Sequence, residues 1–380
     1  MIGKYRRMSL WHVLWPLRRI ALSLLPFLFA ITSECVAVGV KSHSYAGFVP
    51  TPWRIIPPRR AALSGAIAGI QPSGGLHVGN YIGCIQPAVQ YQNAGGELTF
   101  LIADLHATTG REPNLELSDR TRRTVATLLA CGIDPSVTNV ILQSDFPEIL
   151  ELHWIIGTVI SLGRLRKLAN FERRDLAQEK DSVAQCLYPL LMAADVLCSG
   201  SDTIIAGADQ SCHICVVREV ADKLNRRAAS TVVCVPEVYQ SSGFKVLSLD
   251  GSEKMSKSSS KASSRVNLTD SDSEIFEKLR AAKTSSTNDA SSPEVANLIR
   301  LLSFFSGEPP SSSNDDMQFS VLKQRLHEAM SQHLAPIRER YNTLMLDDEA
   351  VLSALRAGRQ RMKPVFSSIV EVCDIRTLSH

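Results

Sequence analysis

The chain has 380 residues, 44% hydrophobic and 21% charged, enough to bury a sizeable core and to hold two domains plus a targeting segment. Its net charge of +3 is unevenly placed: residues 1–60 carry nine Lys/Arg against one acid, Glu34, or +8, so residues 61–380 carry −5. That sign excludes nucleic-acid binding by overall attraction, and any RNA contact must use a local basic patch.

The first sixty residues read as targeting sequence. Lys4, Arg6, Arg7, Arg18 and Arg19 lead into the apolar run Ile20 to Ala30, followed by the small residues Val36-Ala37-Val38-Gly39, the order of a secretory signal. Pro26 and Glu34 weaken a membrane span, which needs about 20 apolar residues. Lys41 to Arg60 is then basic, holds Pro50, Pro52, Pro57 and Pro58 and has no acid, in the manner of a transit peptide. Ala46-Gly47-Phe48-Val49-Pro50 resembles the cleavage site of plastids reached through the secretory route. A mitochondrial presequence is the plainer alternative, and an uncleaved anchor a third. No stable membrane association is expected of the mature chain.

Ala62 to Ile70 is small and apolar, a buried strand in pattern, broken by Gln71-Pro72-Ser73-Gly74-Gly75 and followed by a helix starting near Val78. Strand, Gly-rich turn and helix make the first half of a βαβ unit, whose turn and helix N-terminus can hold phosphate. His77 can donate to a phosphate oxygen and stabilise charge developing there. Glu97 to Ala103 is a second strand, ended by Asp104-Leu105-His106. Ser118 caps a helix with Val125, Leu128 and Leu129 at helical spacing, and Gly132 stops it. Val140-Ile141-Leu142 is a third strand, ended by Gln143-Ser144-Asp145.

Residues 161–175 concentrate Arg164, Arg166, Lys167, Arg173 and Arg174, either a solvated helix face or a surface for phosphates. Cys186 to Leu197 is nearly all apolar. An acid inside it, Asp195, is costly unless partnered, so it is either paired within the protein or placed to meet a buried N–H or O–H of a ligand. Thr203 to Ala206 is a fourth strand, Gly207-Ala208-Asp209-Gln210 opens the next helix, and Val246 to Leu249 is expected as a fifth strand. It leads into Lys254-Met255-Ser256-Lys257-Ser258, two lysines and two hydroxyls that suit a mobile loop over nucleotide phosphates. Alternating strands and helices predict an α/β fold with a doubly wound parallel sheet and ligands beyond its carboxyl ends. Serine-rich stretches then separate the helical patterns Ser273–Ala282, Glu294–Phe305, Phe319–Leu346 and Asp348–Val372. The expected division is 1–60 targeting, 61–260 catalytic with a helical insertion, and 261–380 helical.

The nine cysteines, at 35, 84, 131, 186, 198, 212, 215, 234 and 373, are odd in number and unpatterned, which argues for reduced thiols. Cys212-His213-Ile214-Cys215 has the look of half a zinc site, but no second pair follows at ligand spacing, so no protein metal site is expected.

His77-Val78-Gly79-Asn80 and Lys254–Ser258 together resemble the two signatures of class I aminoacyl-tRNA synthetases. Gly69-Ile70-Gln71-Pro72-Ser73-Gly74, Met192-Ala193-Ala194-Asp195 and Gly207-x-Asp209-Gln210 narrow the likeness, over about residues 66–370, to the bacterial and organellar tryptophanyl-tRNA synthetases. The resemblance implies a Rossmann-like domain, an all-helical anticodon-binding domain and a homodimer. It also implies ATP as substrate with Mg²⁺ held chiefly by its phosphates, and L-tryptophan and tRNA(Trp) as partners. By position, Asp195 would accept the indole N–H, with Ile67, Gly69, His106 and Met192 lining the ring. Tyr188 and Gln210 would hold the α-amino group. Gln71, Ser73, His77, Gly79, Asn80, Arg174, Gly207 and Asp209 would face ATP. Lys254, Met255, Ser256 and Lys257 would follow the departing pyrophosphate.

Several positions depart from the family pattern. Ala208, Ser211 and Cys212 replace charged or amide neighbours of Asp209-Gln210, Arg174 stands for a lysine, Arg164 for an acid, and Ser259-Ser260 for Asp-Pro. Tyrosyl-tRNA synthetases share the fold and both signatures. A synthetase-like RNA-binding protein without activity would show damage at His77, Asn80, Asp195 or the lysines, which are all present. A small nucleotidyltransferase would lack the helical C-terminal region. No inserted editing domain is visible, which suits a large amino acid that a pocket can select unaided.

Overall fold

β1 (Ala66–Ile70) lies at the middle of a five-stranded parallel sheet of order β3-β2-β1-β4-β5. The computed structural model describes residues 65–109, 116–168, 182–207, 210–240, 244–257, 261–284, 292–309 and 318–373. The proposed targeting segment, Arg174, Asp209 and Ser258 lie outside them. Among the described residues no helix is long and apolar enough to cross a membrane.

After β1 the chain turns into α1 (Val78–Asn80), winds as a π-helix over Tyr81–Ile85, and resumes as α2 (Gln86–Asn93). β2 (Leu98–Ile102) follows, then the short α3 (Asp104–Ala107), α4 (Leu117–Ala130) and β3 (Thr138–Leu142). Ser118 falls inside the first turn of α4, with Glu116 at the cap position, two residues before the expected cap. α5 (Pro147–Val159), α6 (Leu162–Leu168) and α7 (Val183–Cys198) precede β4 (Thr203–Ala206), α8 (Ser211–Ala228) and β5 (Glu237–Gln240). The C-terminal part is helical: α9 (Asp272–Arg280), α10 (Pro293–Ser306), α11 (Phe319–Leu344) and α12 (Asp348–Cys373).

The fifth strand is not where the apolar run Val246–Leu249 placed it. Glu237–Gln240 pairs with β4, while Val246–Leu249 closes on its own flank. Met255 N–H donates to Val246 O, Ser248 N–H to Glu253 O and Leu249 N–H to Ser264 O, at 2.8–2.9 Å, leaving only an isolated bridge between Leu247 and Lys254.

Side chains alternate across the sheet and divide the core. Ala66, Ala68, Phe100 and Val140 pack with α2, α4 and α9–α11, whereas Ile67, Leu101 and Ile141 pack with α5, α7, α8 and α12. α12 lies directly on β3. A Cβ added to Gly358 would stand 2.1 Å from Val140 O, so only glycine permits this approach. Three residues on, Arg361 donates to Asn139 Oδ1 (2.6 Å), Pro135 O (2.8 Å) and Thr138 O (2.9 Å). Phe366 stacks on Phe146 at 4.4 Å, and Lys363 pairs with Glu148 at 2.6 Å.

Candidate active site

The sheet order reverses at β1, with β2 on one side and β4 on the other, which is where an open α/β sheet leaves a crevice. A cavity of about 370 Å³ opens there. From β1 it takes Ile67 and Gly69, and from the turn just after it Gln71. From α7 come Tyr188, Met192 and Asp195. The ends of β4 and α8 add Gly207 and Gln210, and His106, Gly79, Asn80 and Lys254 complete the predicted set that lines it. Gly69 is the one exposed residue of β1, so the strand itself floors the cavity. Ser73, His77, Met255, Ser256 and Lys257 stand outside the lining, and Arg174 and Asp209 fall outside the described residues.

His77 is fixed by helix capping. Its backbone is extended, and its Nδ1 accepts the Asn80 N–H at 3.3 Å while Asn80 Oδ1 accepts the His77 N–H at 3.2 Å. An Nδ1 that accepts leaves the neutral ring's proton on Nε2, the donor form. Burial, and after it the nearby cations Lys257, Arg265 and Lys254, hold the imidazole down at about 3, so it stays neutral through the physiological range. Gly79 serves the same turn: a Cβ there would meet His77 Cε1 and Nδ1 at 3.0 Å and Met255 Cβ at 3.6 Å.

The lysine loop is bound to this turn from both ends. Met255 is buried beside Gly79, and Val266 and Leu268 pair with Val78 and Leu76 through N–H···O bonds of 2.9 and 2.8 Å. Lys257 Nζ donates to Gln71 O at 2.6 Å. Burial pulls its ammonium down to about 8, a loss of solvation that a phosphate would relieve. Two sequence segments 180 residues apart thus meet as one cationic rim.

Asp195, 4% exposed, belongs to the part of the lining that α7 supplies. Its Oδ2 is 2.9 Å from His106 Nε2, and its Oδ1 accepts from Gln143 Nε2 at 2.7 Å. Burial raises its carboxyl, against the lowering by His106 and Gln143. Gln143 is itself fixed, because its Oε1 accepts the Leu105 and His106 N–H groups at 3.0 and 3.3 Å. Asp195 is thus paired within the protein, and it also lines the cavity. The sequence placed Gln143 at a strand's carboxyl edge without assigning it a part. It likewise singled out His213 only for a zinc-like spacing. His213 Nε2 instead meets Tyr188 Oη at 2.8 Å and its Nδ1 meets Gln210 Oε1 at 3.1 Å. Among the described residues no group of three or more His, Cys, Asp or Glu is arranged to hold a metal ion. Arg164, unusual for the resembled pattern, pairs with Glu219 of α8 at 2.6 Å and has its guanidinium stabilised by that contact.

Chemically, the cavity's lining combines the Lys254 ammonium, the buried Asp195 carboxylate and apolar side chains such as Ile67, Leu101 and Met192, with the His77 turn and the rest of the lysine loop beside it. That suits a flat aromatic ligand carrying one N–H or O–H, set beside a phosphate chain.

The family described as tRNA synthetases class I (W and Y) matches residues 62–354. A tryptophan–tRNA ligase of Rickettsia prowazekii (strain Madrid E) is 35% identical over 308 residues, covering 78% of this chain and 93% of its own. A chloroplastic/mitochondrial tryptophan–tRNA ligase of Arabidopsis thaliana is 34% identical over 318 residues, 78% of each chain. The crystal structure of tryptophanyl-tRNA synthetase from Campylobacter jejuni, complexed with ADP and tryptophane, superposes with a TM-score of 0.67. It is 26% identical and covers 80% of this chain and 97% of its own.

Proposed function

Since the chain belongs to the class I tRNA synthetases for tryptophan and tyrosine, we propose that it charges tRNA(Trp) in an organelle, using the cavity between β1 and β4 for tryptophan and MgATP. The enzyme class and the tryptophan branch follow from the relatives. The observation that carries the assignment of the site is the meeting of the His77–Asn80 turn, the Lys254–Lys257 loop and Asp195 around one cavity.

In this reading the tryptophan carboxylate attacks the α-phosphorus of ATP, the bond to the bridging oxygen breaks, and pyrophosphate leaves. A hydroxyl at the tRNA 3′ end then takes the aminoacyl group and releases AMP. The substrates bring nucleophile and leaving group, so the protein's part is positioning and charge neutralisation. His77 Nε2–H and the Lys257 ammonium would donate to phosphate oxygens, with Lys254 and Ser256 following the pyrophosphate. Asn80 would keep His77 in its donor tautomer. Asp195 would accept the indole N–H, while Ile67 and Met192 lie along the ring. Mg²⁺ enters as part of the nucleotide substrate.

ATP–pyrophosphate exchange on the purified chain, with tryptophan and tyrosine supplied separately, tests the reading. Exchange with tryptophan alone, abolished by Asp195→Ala and by Lys257→Ala, is the expected result. Exchange with tyrosine alone would mean the pocket is misassigned, and silence with both in a folded, tRNA-binding protein would favour an inactive binding protein.

Two finer points belong to the same proposal. The basic, acid-poor residues 1–60 and the organellar Arabidopsis relative support import, and a reporter fused to residues 1–60 that stays in the cytosol would oppose it. Leu150 and Trp154, one turn apart on α5, are 49% and 77% exposed, with Leu162 and Val183 exposed on α6 and α7. Such an apolar surface favours a homodimer, and sedimentation of a monomer at micromolar concentration would refute it.

A further inference from the structure

We propose that His213 is a positioning residue that turns Tyr188 and Gln210 into a pair of acceptors for the substrate's ammonium group. This inference rests on the tryptophan-site reading above and goes beyond it, because His213 has so far had no part.

Gln210 is the N-cap residue of α8 and His213 the third residue of its first turn, so the two side chains lie on one side of the helix start. Gln210 Oε1 has no proton to give, and the 3.1 Å contact therefore requires His213 Nδ1–H to donate. A neutral imidazole protonated at Nδ1 can only accept at Nε2. The 2.8 Å contact with Tyr188 Oη is then a bond in which the phenol donates. The phenol's single proton is thereby spent on His213, and its oxygen reaches the cavity as an acceptor. Gln210 Oε1, fixed by the Nδ1–H, is an oxygen with two lone pairs, so it can accept a second hydrogen bond from a ligand.

All three side chains line the cavity, and they come from two elements, α7 for Tyr188 and α8 for the other two. One ring thus fixes the polarity of two walls at once. The edge-on packing of the His213 and Tyr188 rings, with centroids 5.6 Å apart and planes at 63°, holds the imidazole in the plane this relay needs. The relay requires the neutral ring. An imidazolium at this place would donate from both nitrogens and turn the phenol proton into the cavity, against the ligand.

The consequence is selective. His213 should matter to ligands that carry the ammonium and be indifferent to those that do not, whereas a residue that only supports the wall would affect every ligand alike.

The test uses the full chain and its His213→Leu and His213→Asn variants, with equilibrium binding of L-tryptophan, tryptamine and indole-3-propionate, which lacks the amine. For His213→Leu, tryptophan and tryptamine are expected to bind about 10–100-fold more weakly, the range for hydrogen bonds to a charged group. Indole-3-propionate should change less than about twofold, and the KM for ATP should not move. His213→Asn, which keeps one donor and one acceptor, should recover part of the loss. Equal weakening of all three ligands, or no weakening of any, overturns the proposal. Failure of the unmodified chain to exchange pyrophosphate with tryptophan would instead count against the functional reading, so the two outcomes are separable.

Discussion

Replacing Gln143 by methionine would remove three hydrogen bonds while nearly conserving volume. The side chain is completely buried, donates to Asp195 Oδ1 at 2.7 Å, and accepts the backbone N–H groups of Leu105 and His106. Loss of the bond to the carboxylate should cost about 1.5–3 kcal/mol, and each orphaned backbone N–H about 1–3 kcal/mol. With partial relaxation a stability loss of about 3–6 kcal/mol is expected, read as a lower denaturation midpoint. The same change has a signature in catalysis. Burial already raises the Asp195 carboxyl, and Gln143 is one of the groups that hold it down. Without that donor its pKa should rise further. If the carboxylate is the form that accepts the indole N–H, activity is lost as pH falls through this pKa, so the acid limb of kcat/KM for tryptophan moves to higher pH. The assay is pyrophosphate exchange at limiting tryptophan across pH 5–8, beside thermal unfolding. An unmoved acid limb in a folded variant would refute the coupling between Gln143 and Asp195.

Lys257 should impose the opposite limb. Its ammonium is held at about 8, so in the free enzyme it is lost as pH rises through that value, and kcat/KM for ATP is expected to fall about tenfold per unit above it. Lys257→Gln should remove this limb and lower kcat by a factor corresponding to about 2–4 kcal/mol; a flat unmodified profile from pH 7 to 10 would refute the assignment. Because its folded pKa lies below the unfolded value of 10.5, the same group opposes folding below pH 8, and the penalty fades between pH 8 and 10.5. Gly79→Ala would press a methyl against the His77 ring at 3.0 Å, so kcat should drop at least tenfold with little change in the unfolding midpoint, measured by exchange at saturating substrates and by calorimetry.

Four strands could be read from continuous apolar runs because a parallel sheet buries both of its faces. β5 escaped because Glu237-Val238-Tyr239-Gln240 is an edge strand bonded on one side only, with a polar–apolar alternation too short to distinguish from a loop. Val246–Leu249 looked more like a strand, yet its backbone partners lie in its own flank and in the following segment, a matter of three-dimensional closure that hydropathy does not carry. The site divided along similar lines. His77, Asn80, the lysines and Asp195 could be named because each is a costly or reactive residue in an unlikely local setting. Gln143 and His213 are ordinary residue types whose meaning lies in what they touch, 52 positions away for Gln143 and Asp195 and 25 for His213 and Tyr188.

β3 has a partner strand on one side alone, and on the other Arg361 occupies the Thr138 carbonyl while the bare Cα of Gly358 lies against that of Val140. An uncovered strand of Thr-Asn-Val-Ile-Leu is a template for edge-to-edge pairing between copies. Its cover, α12, is the last element of the described chain. Ribosomes add about 5–20 residues per second, so the roughly 230 residues from Leu142 to Cys373 keep that edge open for about 12–46 s of synthesis. The most exposed moment for this strand thus falls during synthesis, before α12 has emerged to cover it.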